Sequence, residues 1–381
     1  MGNYSRRLTG IQAKMEEKGL DLVVLGASPD FQYLTGAPVE WRRGRDLTHP
    51  ADAVFVPREG EPLILAGMGS VKKARQGWVD DVRGLGMFEN PAPAVKEIIK
   101  ELVDEPKKVG IGEYTWGSLV LTVASSCKGA SFRSAEGLLD EVRMIKEPGE
   151  IDRLRRAAKL TEDVMSRIID QIDAGETMRG AGLKIETMGR MIGASDASFP
   201  ATAGFCKSGG EPTAEVFNYE RGQGLEPGTS IAFDVGFVLD GYCSDWGRSV
   251  YYGEPEEHIE KAYAALQTAV VETVDDMGNE VHRVNEIFLS IELICDRMGY
   301  GDYLRARLPD GTVGHQIGVE VHEDPWLKPE NSHELVDNMI FCMEPKLWHK
   351  GEYYLRVEDM VLIKNGEAEF LTTYDRERFK L

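Results

Sequence analysis

The stretch SIAFDVGFVLDGYCSDWGRSV, Ser230 to Val250, decides how the second half of this 381-residue chain folds. Two apolar, strand-like runs flank Asp240-Gly241, and an Asp-Gly pair in that setting is a strong signal of a two-residue hairpin. Closing the hairpin there pairs Leu239 with Tyr242, Gly236 with Asp245 and Asp234 with Gly247. Asp234 and Asp245 then point to one face as diagonal neighbours, with Cβ atoms roughly 7 Å apart. Each faces a glycine, which leaves space between them. An ionised carboxylate in an apolar strand is costly unless it is paired or binds metal. From the hairpin alone, the two acids could share a proton, hold a cation, or be kept apart by a three-residue loop that breaks the parity.

Two further acids sit where a strand core would prefer none. MIFCMEPKLW places Glu344 directly after an apolar run, and YYLRVEDMVLI places Glu358 beside Val357, with Arg356 on the same strand face. Taken singly, Glu358 reads as a salt bridge to Arg356, and Glu344 as an exposed strand end before Pro345. GHQIGVEVHEDPW, Gly314 to Trp326, adds His315 and His322. Positions seven apart face opposite ways in a regular strand, while Gly314 and Gly318 point to an irregular backbone; alone, either histidine reads as a hydrogen-bonded core residue. Together, two Asp, two Glu and a His make an oxygen-rich donor set with a single imidazole. Such a set suits Mn, Co, Fe or Zn, and four carboxylates can neutralise two dications. Two ions ~3.5 to 4 Å apart activate a water and polarise a carbonyl.

The remaining sequence bounds the setting. With 42% hydrophobic and 28% charged residues the chain is an ordinary globular protein, and its length predicts two domains. A formal net charge of -20 argues against nucleic acid as the main partner. No apolar run approaches the ~18 residues of a membrane span, and MGNYSRRLTG lacks the apolar stretch of a signal peptide. Five scattered cysteines without CxxC spacing read as reduced core residues, and a cytoplasmic location is expected. Residues 1–145 alternate helical and strand patterns: a helix over Tyr4–Lys18, a strand over Leu20–Leu25, a hairpin over Asp52–Gly67 turned at Glu59-Gly60, a helix over Ala92–Val103, a strand over Lys108–Gly112 and a helix over Ser118–Ser126. Residues 146–381 begin with an amphipathic helix from Pro148 through Ile172, stopped by Gly175, followed by helices over Met178–Met191, Pro255–Val274 and Arg283–Met298. The last 70 residues read mostly as strands, so this domain is expected to be α+β.

The order and spacing of RMIKEPGEIDRLRRAA, DVGFVLDGYCSDWGRSV, GHQIGVEVHEDP, FCMEPKLW and LRVEDMVLI resemble the M24 metallopeptidases, in particular the prolidase (Xaa-Pro dipeptidase) and creatinase-like branch. The resemblance implies a pita-bread catalytic domain over 146–381, built from two pseudo-symmetric halves and preceded by a creatinase/prolidase-type α/β domain over 1–145 that serves dimerisation and supplies a substrate-site loop. It implies two divalent metal ions (Mn, Co, Zn or Fe). Asp234 would hold one, His315 and Glu344 the other, and Asp245 and Glu358 would bridge both. It makes Glu344 a proton shuttle, His322 a catalytic group near the scissile bond, and Arg356 the support of the last glutamate and a substrate-side residue. Creatinase-like members lose several ligands, whereas all five positions are intact here.

The chain also departs from the pattern. Prolidase-like relatives carry another histidine shortly before the first metal Asp; here Cys206 to Asp234 contains none, and Val216 or Asn218 falls near that place. Gly247 stands where relatives commonly have Thr. In WRRGRD, Trp41 and Arg42, Arg43 or Arg45 read either as a solvated basic loop or as a segment reaching a partner subunit's site to hold a substrate carboxylate, a task suited to Arg. The resemblance implies a cytoplasmic homodimeric hydrolase that cleaves small peptides with proline after the scissile bond. The alternatives are a creatinase-like C–N hydrolase or C–S lyase acting on a small non-peptide substrate, and a catalytically silent binding protein.

Overall fold

Nearly continuous apolar runs such as LVVL, AVFV and LILA have to be covered on both faces, and in the N-terminal unit, Met1–Arg143, they form the middle of a mixed sheet. The structure is a computed structural model that describes residues 3–43, 49–210, 224–308, 311–376 and 378–381. In chain order this unit holds α1 (Tyr4–Lys18), β1 (Leu22–Gly26), α2 (Pro29–Thr35), β2 (Ala53–Pro57), β3 (Leu63–Gly67), α3 (Val71–Ala74), β4 (Val82–Leu85), α4 (Pro91–Leu102), β5 (Lys108–Ile111), α5 (Gly117–Ser126), β6 (Ser131–Ser134) and α6 (Asp140–Met144). The sheet order is β4-β3-β2-β1-β5-β6. Strands β1 to β3 are antiparallel to one another, with Phe55 opposite Leu63 across the expected turn, and the outer strands are parallel to their neighbours.

The second unit, Met144–Leu381, opens with α7 (Pro148–Ile169), whose buried stripe includes Leu154, Ala158, Val164, Met165 and Ile168. Glu150 caps it by accepting from the Glu147 N–H at 2.9 Å. The helix stops three residues before Ile172, and Asp170 is its C-cap. Gly175 is therefore not the helix stop; it lies in the following loop at φ 79°, its N–H bonded to the Leu225 carbonyl. Next come α8 (Met178–Met191), β7 (Asp196–Ala197), β8 (Thr202–Lys207), β9 (Thr229–Val235), β10 (Phe237–Leu239), β11 (Tyr242–Cys243), β12 (Trp246–Tyr252), α9 (Glu257–Asp276), α10 (Val284–Arg297), α11 (Gly301–Arg305), β13 (Gly314–Gln316), β14 (Ile340–Met343), β15 (Lys346–His349), β16 (Tyr353–Lys364) and β17 (Glu367–Phe370). The expected strand-rich C-terminus holds only in part. Residues 317–339 between β13 and β14 carry no strand, because their glycines, prolines and acids serve an irregular loop instead.

The principal sheet runs β13-β14-β16-β12-β9-β8, antiparallel throughout. Side chains alternate across it with period two. Ile231, Phe233, Val235, Trp246 and Val250 join α7 and α8 in one core; Phe341, Met343, Leu355, Val357, Val361 and Ile363 join α9 and α10 in another. Helices thus cover one face of the sheet in two groups. The residues between those core positions, Asp234, Asp245, Cys342, Arg356 and Glu358, face the other way.

The loop after β13 is held by a buried ion pair. Lys146 Nζ lies 2.8 Å from Glu323 Oε2 and 3.3 Å from Gln316 Oε1, while Gln316 and Glu323 exchange both backbone hydrogen bonds. Gly318 lets the Glu323 carboxylate sit against the backbone, since a Cβ there would lie 2.5 Å from Oε1. Breaking a buried pair from one side deprives the other charge of its close counter-ion. Glu323→Ala is expected to lower stability by about 3 to 5 kcal/mol, read as a lower urea midpoint, whereas a change under about 0.5 kcal/mol would mean that the loop does not depend on the pair.

Candidate metal centre

The hairpin register is the one the Asp-Gly turn predicts. Leu239 pairs with Tyr242 and Asp234 with Gly247, and Asp240 and Gly241 adopt φ 50° and 82°. The ladder is interrupted around Gly236, Ser244 and Asp245. A side chain at Gly236 would meet the Ser244 carbonyl at 2.1 Å, so the two strands approach too closely there for anything larger. Ser244 locks the interruption, accepting from the Phe237 N–H at 3.0 Å and sharing a hydrogen bond with Thr161 of α7 at 2.6 Å.

Gly247 pairs with Asp234 on one side and with Glu358 on the other, so these three form one row across the sheet. A Cβ on Gly247 would stand 2.5 Å from Arg356 Cδ and 2.8 Å from Glu358 Oε2. The glycine is the space that lets a guanidinium enter between the acids. The neighbouring row carries His315 opposite Cys342 and Cys342 opposite Met360. Gly314, at φ 154°, has no room for a side chain, since a Cβ would lie 2.0 Å from the Cys342 carbonyl oxygen.

The five residues expected as ligands converge. His315 Nε2 lies 3.6 Å from Asp245 Oδ2 and 3.8 Å from Glu344 Oε1. These separations are too long for hydrogen bonds and close to the roughly 3 to 3.5 Å between two atoms that share an ion at bonds of about 2.1 Å. The His315 Nδ1 is 2.9 Å from the Gln316 carbonyl oxygen, which fixes the ring and leaves Nε2 as the free lone pair. Arg356 pairs with Asp234, with Glu344 at 2.9 Å and with Glu358 at 3.5 Å; Lys346 pairs with Glu344. Asp245 Oδ1, His315 Nε2 and both Glu358 oxygens are buried without a hydrogen-bond partner. Buried polar atoms left unsatisfied cost stability, and a divalent cation satisfies them all, so the residues fit a metal site.

The electrostatics agree. Burial, reinforced by Glu358 and Asp234, drives the Asp245 carboxyl well above the usual range, and burial pushes Glu358 up to about 8 against the pull of Arg356. Burial also acts on Glu344, but Lys346, Arg356 and His315 overcome it and hold that carboxyl far below the usual range. Burial lowers His315 to about 4, which keeps the imidazole neutral as a ligand must be.

His322 reaches the site despite its spacing. The irregular loop folds it back so that its ring meets His315 edge-on at 4.5 Å and lies 5.0 Å from Trp326. A cleft of about 430 Å³ is lined by Asp234, Asp245, His315, His322, Glu344 and Arg356, together with Phe199, Arg307, Trp326 and Lys346. The last four were not singled out from the sequence. Lys346 did carry a signal, because it stands two residues from Glu344. Arg307 and Phe199 come from two loops, after α11 and between β7 and β8, that no local pattern connects to the site. In the other unit, Trp41 Nε1 donates to Gln32 Oε1 at 3.0 Å, Arg42 stacks on the Trp41 ring at 4.2 Å, and Arg43 is exposed. Arg45 and Asn218 lie outside the described residues.

An α/β domain followed by a helix-backed sheet with convergent carboxylates defines the class of metal-dependent hydrolases. The chain belongs to metallopeptidase family M24: residues 152–365 match that family, and residues 7–145 match the creatinase/prolidase N-terminal domain. It is 26% identical over 379 residues to "Putative dipeptidase YkvY" of Bacillus subtilis, covering 97% of this chain and 98% of that one. Among solved structures it resembles a recombinant prolidase from Thermococcus sibiricus, with TM-score 0.84, 26% identity and 100% of both chains covered. It also shares its fold with a Xaa-Pro dipeptidase from Bacillus anthracis, with TM-score 0.83, 22% identity and 100% of both chains covered.

A ligand that binds only the folded state stabilises it by about 2.7 kcal/mol at a hundredfold excess over its Kd. Cobalt or manganese added to metal-free protein is therefore expected to raise the melting temperature. Asp245→Asn and Glu358→Gln should abolish the rise and His322→Ala should keep it; an unchanged rise in the two carboxylate variants would place the metal elsewhere.

Proposed function

We propose that this metallohydrolase is a dipeptidase that cleaves small peptides with proline after the scissile bond. One observation carries the reading: Asp234, Asp245, Glu344 and His315 line a single cleft and Glu358 lies buried beside them, with Asp245 Oδ1, His315 Nε2 and both Glu358 oxygens buried without a hydrogen-bond partner. The prolidase and Xaa-Pro dipeptidase names of its structural relatives support the substrate class.

Asp234, Asp245, His315, Glu344 and Glu358 would hold two divalent ions, which when bound supply an activated water and polarise the peptide carbonyl. The chain's own groups do the rest. Glu344, held ionised by Lys346 and Arg356, is placed to accept the proton that the attacking water gives up and to hand it to the leaving nitrogen. His322 is exposed on the cleft side, where it can donate to the peptide oxygen, and the Trp326 ring beside it fixes its orientation. Arg356 keeps Asp234, Glu344 and Glu358 in register. Lys346 and Arg307, at the cleft wall, offer positive charge to a peptide's terminal carboxylate.

A second reading rests on a specific departure. No histidine occurs between Cys206 and Asp234, so the same metal site could serve a small non-peptide C–N or C–S substrate. Finer attributes belong to the proposal too: manganese among the candidate ions, a cytoplasmic location, and a homodimer in which Trp41, Arg42, Arg43 and Arg45 serve a partner's cleft and Asn218 lies on the substrate side. Metal analysis, cell fractionation and sedimentation test these.

The deciding experiment compares metal-loaded protein on Xaa-Pro dipeptides, other dipeptides and small amides, guanidino compounds and sulfonio acids. Xaa-Pro dipeptides are expected to turn over, and His322→Ala to lower kcat by about a hundredfold or more with metal still bound. Turnover confined to the non-peptide compounds would establish the second reading instead.

A further inference from the structure

Cys342 lies in the metal site, not merely beneath it. It is fully buried on β14, directly opposite His315 and two residues before Glu344, with its side chain on the carboxylate face of the sheet. Its Sγ and one ligand atom each from Asp245, His315 and Glu358 all lie within 4.8 Å of one another. Three of those four residues present ligand atoms that are buried without a hydrogen-bond partner: Asp245 Oδ1, His315 Nε2 and both Glu358 oxygens. A buried cysteine is ordinarily a small apolar filler. At this position Cys342 has apolar Met360 across the ladder on one side, and it also stands among lone pairs in need of a cation.

We propose that Cys342 is a ligand of the ion that His315 holds, giving the site a sulfur donor alongside its oxygens and imidazole. The inference rests on the metal-binding reading of the cleft and goes beyond it by naming a donor and the preference it creates. On binding, the S–H bond breaks, its proton leaves to solvent, and the sulfur lone pair forms the bond to the metal. A thiolate shifts preference toward zinc, cobalt or iron and away from manganese, which favours carboxylate and water donors. The two positions then differ: the ion at Asp234 has oxygen donors, and the ion at His315 has sulfur, nitrogen and oxygen.

The test loads the metal-free chain with cobalt, counts the bound ions and records the near-ultraviolet spectrum. A thiolate-to-cobalt charge-transfer band is expected in the unsubstituted protein and its loss in Cys342→Ser, which still binds cobalt through the remaining donors. Should Cys342→Ser not fold, X-ray absorption of the zinc-loaded unsubstituted protein reads the same point, through a sulfur scatterer at about 2.3 Å. Bound cobalt without the band, or a zinc shell of oxygen and nitrogen alone, would overturn the assignment of Cys342 and leave the carboxylate site standing. Failure to bind cobalt at all would overturn the metal reading and this inference together.

Discussion

Mutual repulsion among buried carboxylates is the constraint on which the second unit depends. Two like charges 4 Å apart repel by about 4 kcal/mol at an effective dielectric near 20, and here Asp234, Asp245 and Glu344 line one cleft while Glu358, buried, shares Arg356 with Asp234 and Glu344. The chain's own groups compensate in two ways. Arg356 and Lys346 lean onto Asp234 and Glu344, while Asp245 and Glu358 are driven toward their protonated forms. Both responses leave lone pairs unsatisfied, a cost that bound divalent metal would remove. The site is thus built for binding rather than for stability.

Such a site needs a frame that does not yield. The opposite face of the sheet supplies it. Arg248, fully buried, donates to the Gly247 carbonyl at 2.7 Å and to Asp359 at 2.6 Å, and Asp359 is further held by Thr372 and Arg376. Because Gly247 and Glu358 belong to the same two strands, this network fixes the backbone that aims the acids. The cores built by α7 with α8 and by α9 with α10 lie on that same side, so packing and ion pairing act together on the backbone while the open face carries the chemistry.

The sequence revealed this arrangement unevenly, for physical reasons. Asp240-Gly241 has one favoured turn geometry, and strand parity then carries Asp234 and Asp245 to one face without any long-range information. Glu344 and Glu358 stood out only as acids in the wrong company, since their convergence depends on pairings across β14, β16 and β12 that no local pattern dictates. The spacing of His315 and His322 misleads in a regular strand; it resolves only because Lys146, 170 residues before Gln316, pins the loop from Gln316 to Glu323. Cys342 reads as a reduced core residue, and it is free and buried as expected. Its place two residues from Glu344 was the available sign that it shares the acids' face.

The Asp240-Gly241 turn has a consequence of its own. It lies at an exposed hairpin tip, the kind of place where proteins usually accept extra residues. Here the tip sets an odd-or-even count for the strand that follows. One added residue, left unabsorbed, would keep the strands long enough to pair yet turn Asp245 toward the helices and Trp246 toward the cleft; two added residues would restore the faces. Surface exposure and tolerance therefore part company at this position: its length is constrained as tightly as the core, and the Asn365-Gly366 turn between β16 and β17 carries no such obligation to the cleft.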